Sequence, residues 1–197
     1  MIQRGEDMVK SSLGSNFMMK ESGEKKCMAF IEDEDIGSLE ITATARGINC
    51  CMFSSLGSFE KGLLAQQDCL DANAALILSQ ALSQINAYLR GKLTVFTIPL
   101  DWSNISSFAR RVYEATMQIP FGEVRTYGEI AAVIGQAGAA RAVGGALRAN
   151  PFVLLVPCHR VVGGNRHLHG FSAPGGLATK SWLLRHEGHS IQENRLS

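Results

Sequence analysis

Four consecutive residues, Pro157-Cys158-His159-Arg160, place a thiol, an imidazole and a guanidinium side by side. A free cysteine titrates near pH ~8.5, so little of it is thiolate at neutral pH. A nearby base or cation raises that fraction, and here both follow the thiol directly. The preceding run Phe152-Val153-Leu154-Leu155-Val156 is apolar. It predicts a reactive cysteine at the mouth of a rigid element rather than inside the core. The other cysteines, Cys27, Cys50, Cys51 and Cys69, lack the paired CxxC spacing of zinc sites. They are expected to be small core or surface residues, with no metal. His167 and His169 have a spacing that could ligate a metal, but their glycine-flanked, basic surroundings predict a solvated, mobile loop from Gly163 to Gly170.

The elements that must position these groups are legible from periodicity. Short apolar runs at Cys27–Ile31, Leu39–Ala45 and Ile48–Phe53, separated by acidic or glycine-containing turns, predict strands of a small sheet. Ala75, Leu78, Leu82, Ile85 and Leu89 recur at spacings of three and four, one face of an amphipathic helix that stops at Arg90-Gly91. Val95–Leu100 reads as a strand or extended linker broken by Pro99. The composition then changes, and a domain boundary is expected near 103/104, with 1–103 as one unit and 104–197 as the other. Residues 1–25 lack periodicity and predict a poorly ordered arm.

The second unit reads as helical. Phe108, Val112 and Ala115 mark a helix closed near Pro120 and Gly122. Thr126-Tyr127-Gly128-Glu129 has the capping-box pattern and opens a helix carrying Ile130, Ala131 and Ile134. Gly135-Gln136-Ala137-Gly138 is a turn, and a further helix runs from Ala139 to about Ala149 before Asn150-Pro151. Helix, short turn and helix predict a helix-turn-helix, which serves either as a DNA-binding element or as a structural hairpin. The second helix is built of tiny residues: Ala139, Ala140, Ala142, Gly144, Gly145 and Ala146. Each glycine costs roughly 1 kcal/mol against alanine in a helix. Smallness kept at that cost implies close approach of another surface, either a neighbouring helix or a narrow nucleic-acid groove. Arg141 and Arg148 are its only long polar side chains, too few to read much sequence in a major groove. A slim helix with a projecting arginine could instead enter a minor groove and push a side chain into the base stack.

Bulk properties agree with a globular protein. Hydrophobic residues make up 46% of the 197, enough for a core. No apolar run approaches the ~20 residues that span a bilayer. The polar Met1–Lys26 stretch does not resemble a signal peptide, so an intracellular protein is expected, cytoplasmic with the nucleoid in a prokaryote or nuclear in a eukaryote. Five cysteines, an odd number in that setting, argue against a disulfide framework. The net charge is only +1, but residues 101–197 hold ten basic and six acidic side chains and 1–100 hold nine and twelve. A polyanion, if bound, should meet the second half.

Ala140-Arg141-Ala142-Val143-Gly144-Gly145-Ala146, Asn150-Pro151, Pro157-Cys158-His159-Arg160-Val161-Val162 and Trp182-Leu183-Leu184-Arg185-His186-Glu187-Gly188 together resemble the O6-alkylguanine-DNA alkyltransferases. The likeness is close from about Phe108 to His189 and loose before it. It implies a ribonuclease-H-like α/β N-terminal domain and a mainly α, winged-helix-type C-terminal domain with a helix-turn-helix. It also implies a monomer that binds double-stranded DNA containing O6-alkylguanine through the minor groove. The implied reaction is stoichiometric, without cofactor: the thiolate attacks the alkyl carbon on O6, becomes S-alkylcysteine and releases guanine.

The resemblance also implies roles. Cys158 would be the acceptor, with His159 acting through a bridging water and oriented by Glu187. His159 need not touch Cys158, since neighbours in an extended segment point opposite ways. Arg141 would fill the gap left by an extruded nucleotide. Tyr127 would help rotate that nucleotide, and Thr126, Ala140, Ala142 and Gly144 would lie along the DNA. Asn150 would tie the second helix to the cysteine loop. Val161 and the Cys158 carbonyl would recognise the guanine amino group, and Ser172 would hydrogen-bond O6. Phe171 stands where mammalian members carry a tyrosine. The run Ser172-Ala173-Pro174-Gly175-Gly176 is two residues longer than the family's Ser-Gly-Gly, which predicts a differently shaped lid. Two other readings compete: a lesion-binding relative that flips alkylguanine without repair, which would lack the acceptor cysteine, and a cysteine hydrolase using Cys158 and His159. Trp182 is expected to pack in the core.

Overall fold

In a computed structural model, described over residues 26–54, 69 and 71–197, the three expected strands form an antiparallel sheet in the order β1-β2-β3. They are β1 (Cys27–Asp33), β2 (Gly37–Thr44) and β3 (Gly47–Phe53). The arm expected at 1–25 lies outside the described residues. Helix α1 (Ala72–Leu89) packs on the sheet and is capped by the Asp71 side chain, which accepts from the Ala74 N–H. Its buried stripe is Ala74, Ile77, Leu78, Ala81, Ile85 and Tyr88. The helix is therefore turned slightly from the expected face, and Tyr88 rather than Leu89 is fully enclosed.

The second half contains α2 (Ser107–Met117), β4 (Arg125–Thr126), α3 (Tyr127–Val133), α4 (Ala140–Arg148), a 3-10 turn (Cys158–Arg160), β5 (Val161–Val162), α5 (Leu177–His186) and a terminal hairpin of β6 (Ile191–Gln192) and β7 (Arg195–Leu196). The capping box forms as the sequence predicts: the Thr126 N–H donates to Glu129 Oε2 at 2.6 Å, and the Glu129 N–H donates to Thr126 Oγ1 at 3.2 Å. Gly135, at φ 72°, ends the first of the paired helices in a conformation that other residues seldom adopt. One continuous apolar core runs from β1 through α1 to α4 and the cysteine segment. Among the described residues no helix is long and apolar enough to cross a membrane.

Two expectations need correction. Cys158 does not lie in an extended segment; a 3-10 turn starts there, because Phe152–Val156 folds as a buried turn, with Leu154 at φ 68°, rather than as a strand. Cys27 and Cys69 are joined by a disulfide, since the chain returns to the start of β1 just before α1 and brings their Cα atoms within 4.9 Å. The Gly163–Gly170 loop is largely exposed, as expected; a Gly163 N–H bond to the His167 carbonyl at 2.9 Å closes it, and a Leu168 N–H bond to the Asn194 carbonyl at 2.8 Å joins it to the terminal hairpin. Trp182 packs against the core, as expected, though it is only partly buried, and it stacks on the His186 ring at 5.0 Å.

The outer edge of β3 explains how the halves are joined. An unpaired strand edge offers a row of backbone groups to any extended segment that can reach it. Here Ile48 exchanges bonds with Pro99 and Asp101 (2.9 and 2.8 Å), and Cys51 with Pro151 and Val153 (2.7 and 2.8 Å). The first contact requires Gly47, where a Cβ would lie 2.7 Å from the Leu100 carbonyl carbon. Asp101 then accepts from Thr44 Oγ1 at 2.7 Å, from Arg46 Nη2 at 3.0 Å and from Ser103. Burial opposes ionisation of Asp101, but the donors from Ser103, Arg46 and Thr44 outweigh it and hold the carboxyl well below the usual range.

A carboxyl that is more acidic folded than unfolded adds stability above its unfolded pKa of about 4, and that contribution is lost as pH falls towards the folded value. Asp101→Asn should therefore lower the unfolding free energy by about 1–3 kcal/mol at neutral pH. The gap between variant and parent should narrow in urea titrations repeated at progressively lower pH. A gap constant with pH would contradict the clamp.

Candidate active site

The cysteine segment is held from two sides. Asn150, just past α4, donates from Nδ2 to the Val156 carbonyl at 3.1 Å and accepts the Phe152 N–H at 3.0 Å. The β3 edge holds Pro151 and Val153 from the other side. Cys158 is thereby fixed in the wall of a cavity of about 820 Å³, although only 8% of its surface is exposed. It thus belongs both to the core and to the cavity.

Burial pushes the Cys158 thiol up, against the opposing pull of the Asn150 side chain, the Lys180 charge and nearby backbone N–H groups. The cation that helps the thiolate is thus Lys180, not Arg160 as adjacency predicted. Lys180 is itself buried; its Nζ donates to the Val161 carbonyl at 2.7 Å and lies 6.0 Å from the centre of the Tyr127 ring. Burial lowers its pKa to about 8, with Cys158 acting in the opposite direction. The Arg160 guanidinium turns away from the thiol. It donates from Nη1 to the Ile119 carbonyl at 2.7 Å, and from Nε and Nη2 to Glu187 at 2.9 Å each.

Glu187 gathers the buried polar groups behind the cysteine. Its Oε1 lies 2.9 Å from His159 Nε2 and accepts the Tyr88 hydroxyl at 2.8 Å. Burial opposes its ionisation, but the hydrogen bonds and charges of His159 and Arg160 prevail and hold the carboxyl well below the usual range. An ionised carboxylate only accepts, so the hydrogen shared with it must be on His159 Nε2. His159 Nδ1 is then the basic nitrogen, and it has no hydrogen-bond partner among the described residues. Burial lowers the His159 pKa; Glu187 opposes this, and Arg160 and Lys180 add to it, so the ring is neutral at physiological pH. The result is a nucleophile, a neutral base and an orienting carboxylate, the order required for activating a thiol.

The structure brings most of the sequence-derived residues to the cavity. Tyr127, Ala140, Arg141, Gly144, Asn150, Phe171 and Ser172 line it with Cys158. His159 and Glu187 lie behind it. Thr126 acts as a helix cap, and Ala142 is exposed on α4 outside the lining. Val161 also lies outside it, because its side chain enters the core and its carbonyl takes the Lys180 ammonium. The Ser172 hydroxyl donates to the Arg148 carbonyl at 3.0 Å, and Phe171 packs edge-on against Phe53 at 6.0 Å. Arg148, Val153 and His169 line the cavity as well and were not expected. Tyr88 and Lys180 were also missed. A tyrosine on a buried helical stripe needs a partner for its hydroxyl, but the predicted stripe ran to Leu89 and left Tyr88 out.

Residues 107–189 match the family model described as the 6-O-methylguanine DNA methyltransferase DNA-binding domain. A methylated-DNA–protein-cysteine methyltransferase of Mycobacterium leprae is 48% identical over 113 residues, which cover 57% of this chain and 67% of that protein. One from Salmonella typhimurium is 47% identical over 104 residues, or 53% and 60% of the two chains. These alignments thus span about two thirds or less of the relatives' own length. The likeness to solved structures reaches further. The Mycobacterium tuberculosis OGT, solved in complex with DNA, is 38% identical with a TM-score of 0.66, and the match covers 81% of this chain and 91% of that one. A second structure, the same organism's O6-methylguanine methyltransferase, is 37% identical with a TM-score of 0.66 over 82% and 92%. With a buried thiol, imidazole and carboxylate assembled beside the cavity and this extent of shared sequence and fold, the chain belongs to the methylated-DNA–protein-cysteine methyltransferase family.

Proposed function

We propose that this protein repairs DNA by direct reversal, moving an alkyl group from O6 of guanine to its own Cys158 in a single irreversible turnover. The carrying observation is the position of Cys158 in the cavity wall, with the hydrogen-bonded His159 and Glu187 behind it. The thiol proton leaves through His159 Nδ1, by way of a water. The Cys158 sulfur forms a bond to the alkyl carbon as the carbon–O6 bond breaks. Its electron pair passes to the guanine, which takes up the proton and leaves as the normal base. The cysteine ends as a thioether, so each chain acts once. No cofactor enters this balance.

A base inside a duplex cannot reach a buried thiol, so the nucleotide must rotate out into the cavity. Helix α4 supports minor-groove entry. A Cβ on Gly144 would make only ordinary contact with the Tyr127 ring at 3.8 Å, and one on Gly145 would meet nothing within 4 Å. Internal packing therefore does not demand both glycines, and the exposed, small face of α4 suits a DNA groove. Arg141 lines the cavity mouth on that face and would occupy the space the base leaves. Tyr127 would guide the rotated nucleotide. Ser172 would serve O6 by turning its hydroxyl from the Arg148 carbonyl. We read residues 1–103 as a ribonuclease-H-like half and 104–197 as a winged-helix-type half. The protein acts as a monomer, because one chain supplies the whole site. The presence of Cys158 favours transfer over lesion binding alone.

Mixing the protein with excess O6-methylguanine duplex should repair one equivalent per chain, and Cys158→Ser should repair none while retaining DNA affinity. Many equivalents would indicate a hydrolase, and none from the parent protein a lesion binder. Arg141→Ala should slow repair of duplex DNA by at least about tenfold more than reaction with free O6-benzylguanine, because only the duplex requires extrusion. Equal slowing of both, in single-turnover assays, would remove Arg141 from that step.

A further inference from the structure

From the first half of the chain, the Tyr88 side chain reaches the Glu187–His159 pair. Tyr88 is fully buried near the end of α1, 71 residues before His159. Its hydroxyl donates to Glu187 Oε1 at 2.8 Å and lies 3.4 Å from His159 Nε2. Its carbonyl is 2.8 Å from His186 Nε2, on the residue preceding Glu187. The ring is wedged between Phe96 at 5.3 Å, His186 at 5.2 Å and Phe121 at 6.2 Å. The phenol therefore has little freedom to leave Glu187.

Resting on the alkyl-transfer reading, we propose that Tyr88 is a positioning residue of the transfer centre, fixing Glu187 and through it the tautomer and basicity of His159. Three donors share one acceptor. Glu187 Oε1 serves the Tyr88 hydroxyl, His159 Nε2 and Arg160 Nη2 at 2.8–2.9 Å. Each donor neutralises part of the charge that would otherwise draw a proton onto His159. The groups acting on the imidazole are Glu187 beyond α5, Lys180 on α5, Tyr88 on α1 and Arg160 on its own turn. Of these, Tyr88 is the only one from the first half of the chain. Removing its hydroxyl leaves more of the Glu187 charge to His159. The imidazole then holds its proton to higher pH, and the fraction able to accept from the thiol falls.

The test compares single-turnover transfer from an O6-methylguanine duplex by the parent, Tyr88→Phe, Glu187→Gln and the double variant, as a function of pH. Tyr88→Phe should slow transfer about tenfold on the acid limb, the order of one hydrogen bond to a charged group, and by less at neutral pH. Its acid limb should move to higher pH, while DNA affinity and the final one-to-one stoichiometry stay unchanged. In the Glu187→Gln background the same change should cost less than about twofold, because Tyr88 acts through that carboxylate. A rate on the acid limb within about twofold of the parent, an equal loss in both backgrounds, or a loss without movement of the acid limb would each overturn the proposal. If Tyr88→Phe fails to fold, 3-fluorotyrosine at position 88, a stronger donor, should move the acid limb to lower pH; an unmoved limb would overturn it equally. A parent protein that transfers no alkyl group would instead defeat the alkyl-transfer reading itself.

Discussion

A single buried carboxylate organises this molecule. Glu187 sits in the interior, where an isolated charge would be prohibitively unfavourable, and it is tolerated because Arg160 meets it with two nitrogens. Removing one partner of such a pair typically costs about 3–5 kcal/mol, since the other charge is left uncompensated. A well-packed apolar pair could serve stability as well, so the persistence of ions here has to be understood through what they do to their neighbour. Because Arg160 already balances Glu187, His159 is not forced to take a proton to satisfy it. Burial then keeps the imidazole neutral, while the carboxylate fixes which nitrogen bears the hydrogen. The base stays uncharged and oriented, within a protein whose nucleophile is held as a thiol until the proton has somewhere to go.

The same economy appears in the backbone. The segment carrying Cys158 has no regular structure of its own and borrows order from two rigid neighbours. Asn150 closes the turn from the α4 side, and the free edge of β3 holds Pro151 and Val153. The linker between the halves uses the same edge at Ile48, clamped by Asp101. A sheet of three strands thereby positions a site to which it contributes no reacting atom. The halves share one core, and the thiol sits where that core opens into the cavity.

Much of this was readable in the chain. Apolar runs between turns located the three strands of the sheet, helical spacing located three helices of the second half but not α5, and the capping box at Thr126 formed as written. Cys158, His159 and Glu187 were identified through short motifs whose spacing is local. What escaped was long-range. Tyr88 is a member of an apolar stripe, and nothing near it in sequence announces that its hydroxyl meets Glu187, 99 residues later. Lys180 stands in no motif of the sequence, and only the fold of α5 turns its stem inward to the Val161 carbonyl. The disulfide between Cys27 and Cys69 bridges 42 residues, a pairing that spacing alone cannot reveal. Adjacency also misled: Arg160 is two residues from the thiol yet faces Glu187, because the 3-10 turn sends successive side chains in different directions.

The account rests on a neutral His159 whose hydrogen is on Nε2 and whose Nδ1 is free to accept. Nitrogen-15 NMR of the imidazole, assigned by comparison with a His159→Gln variant and recorded at neutral pH without DNA, reads that state directly. The account predicts a protonated Nε2 and an unprotonated Nδ1 in the same ring. An imidazolium, or a neutral ring with its hydrogen on Nδ1, would contradict it.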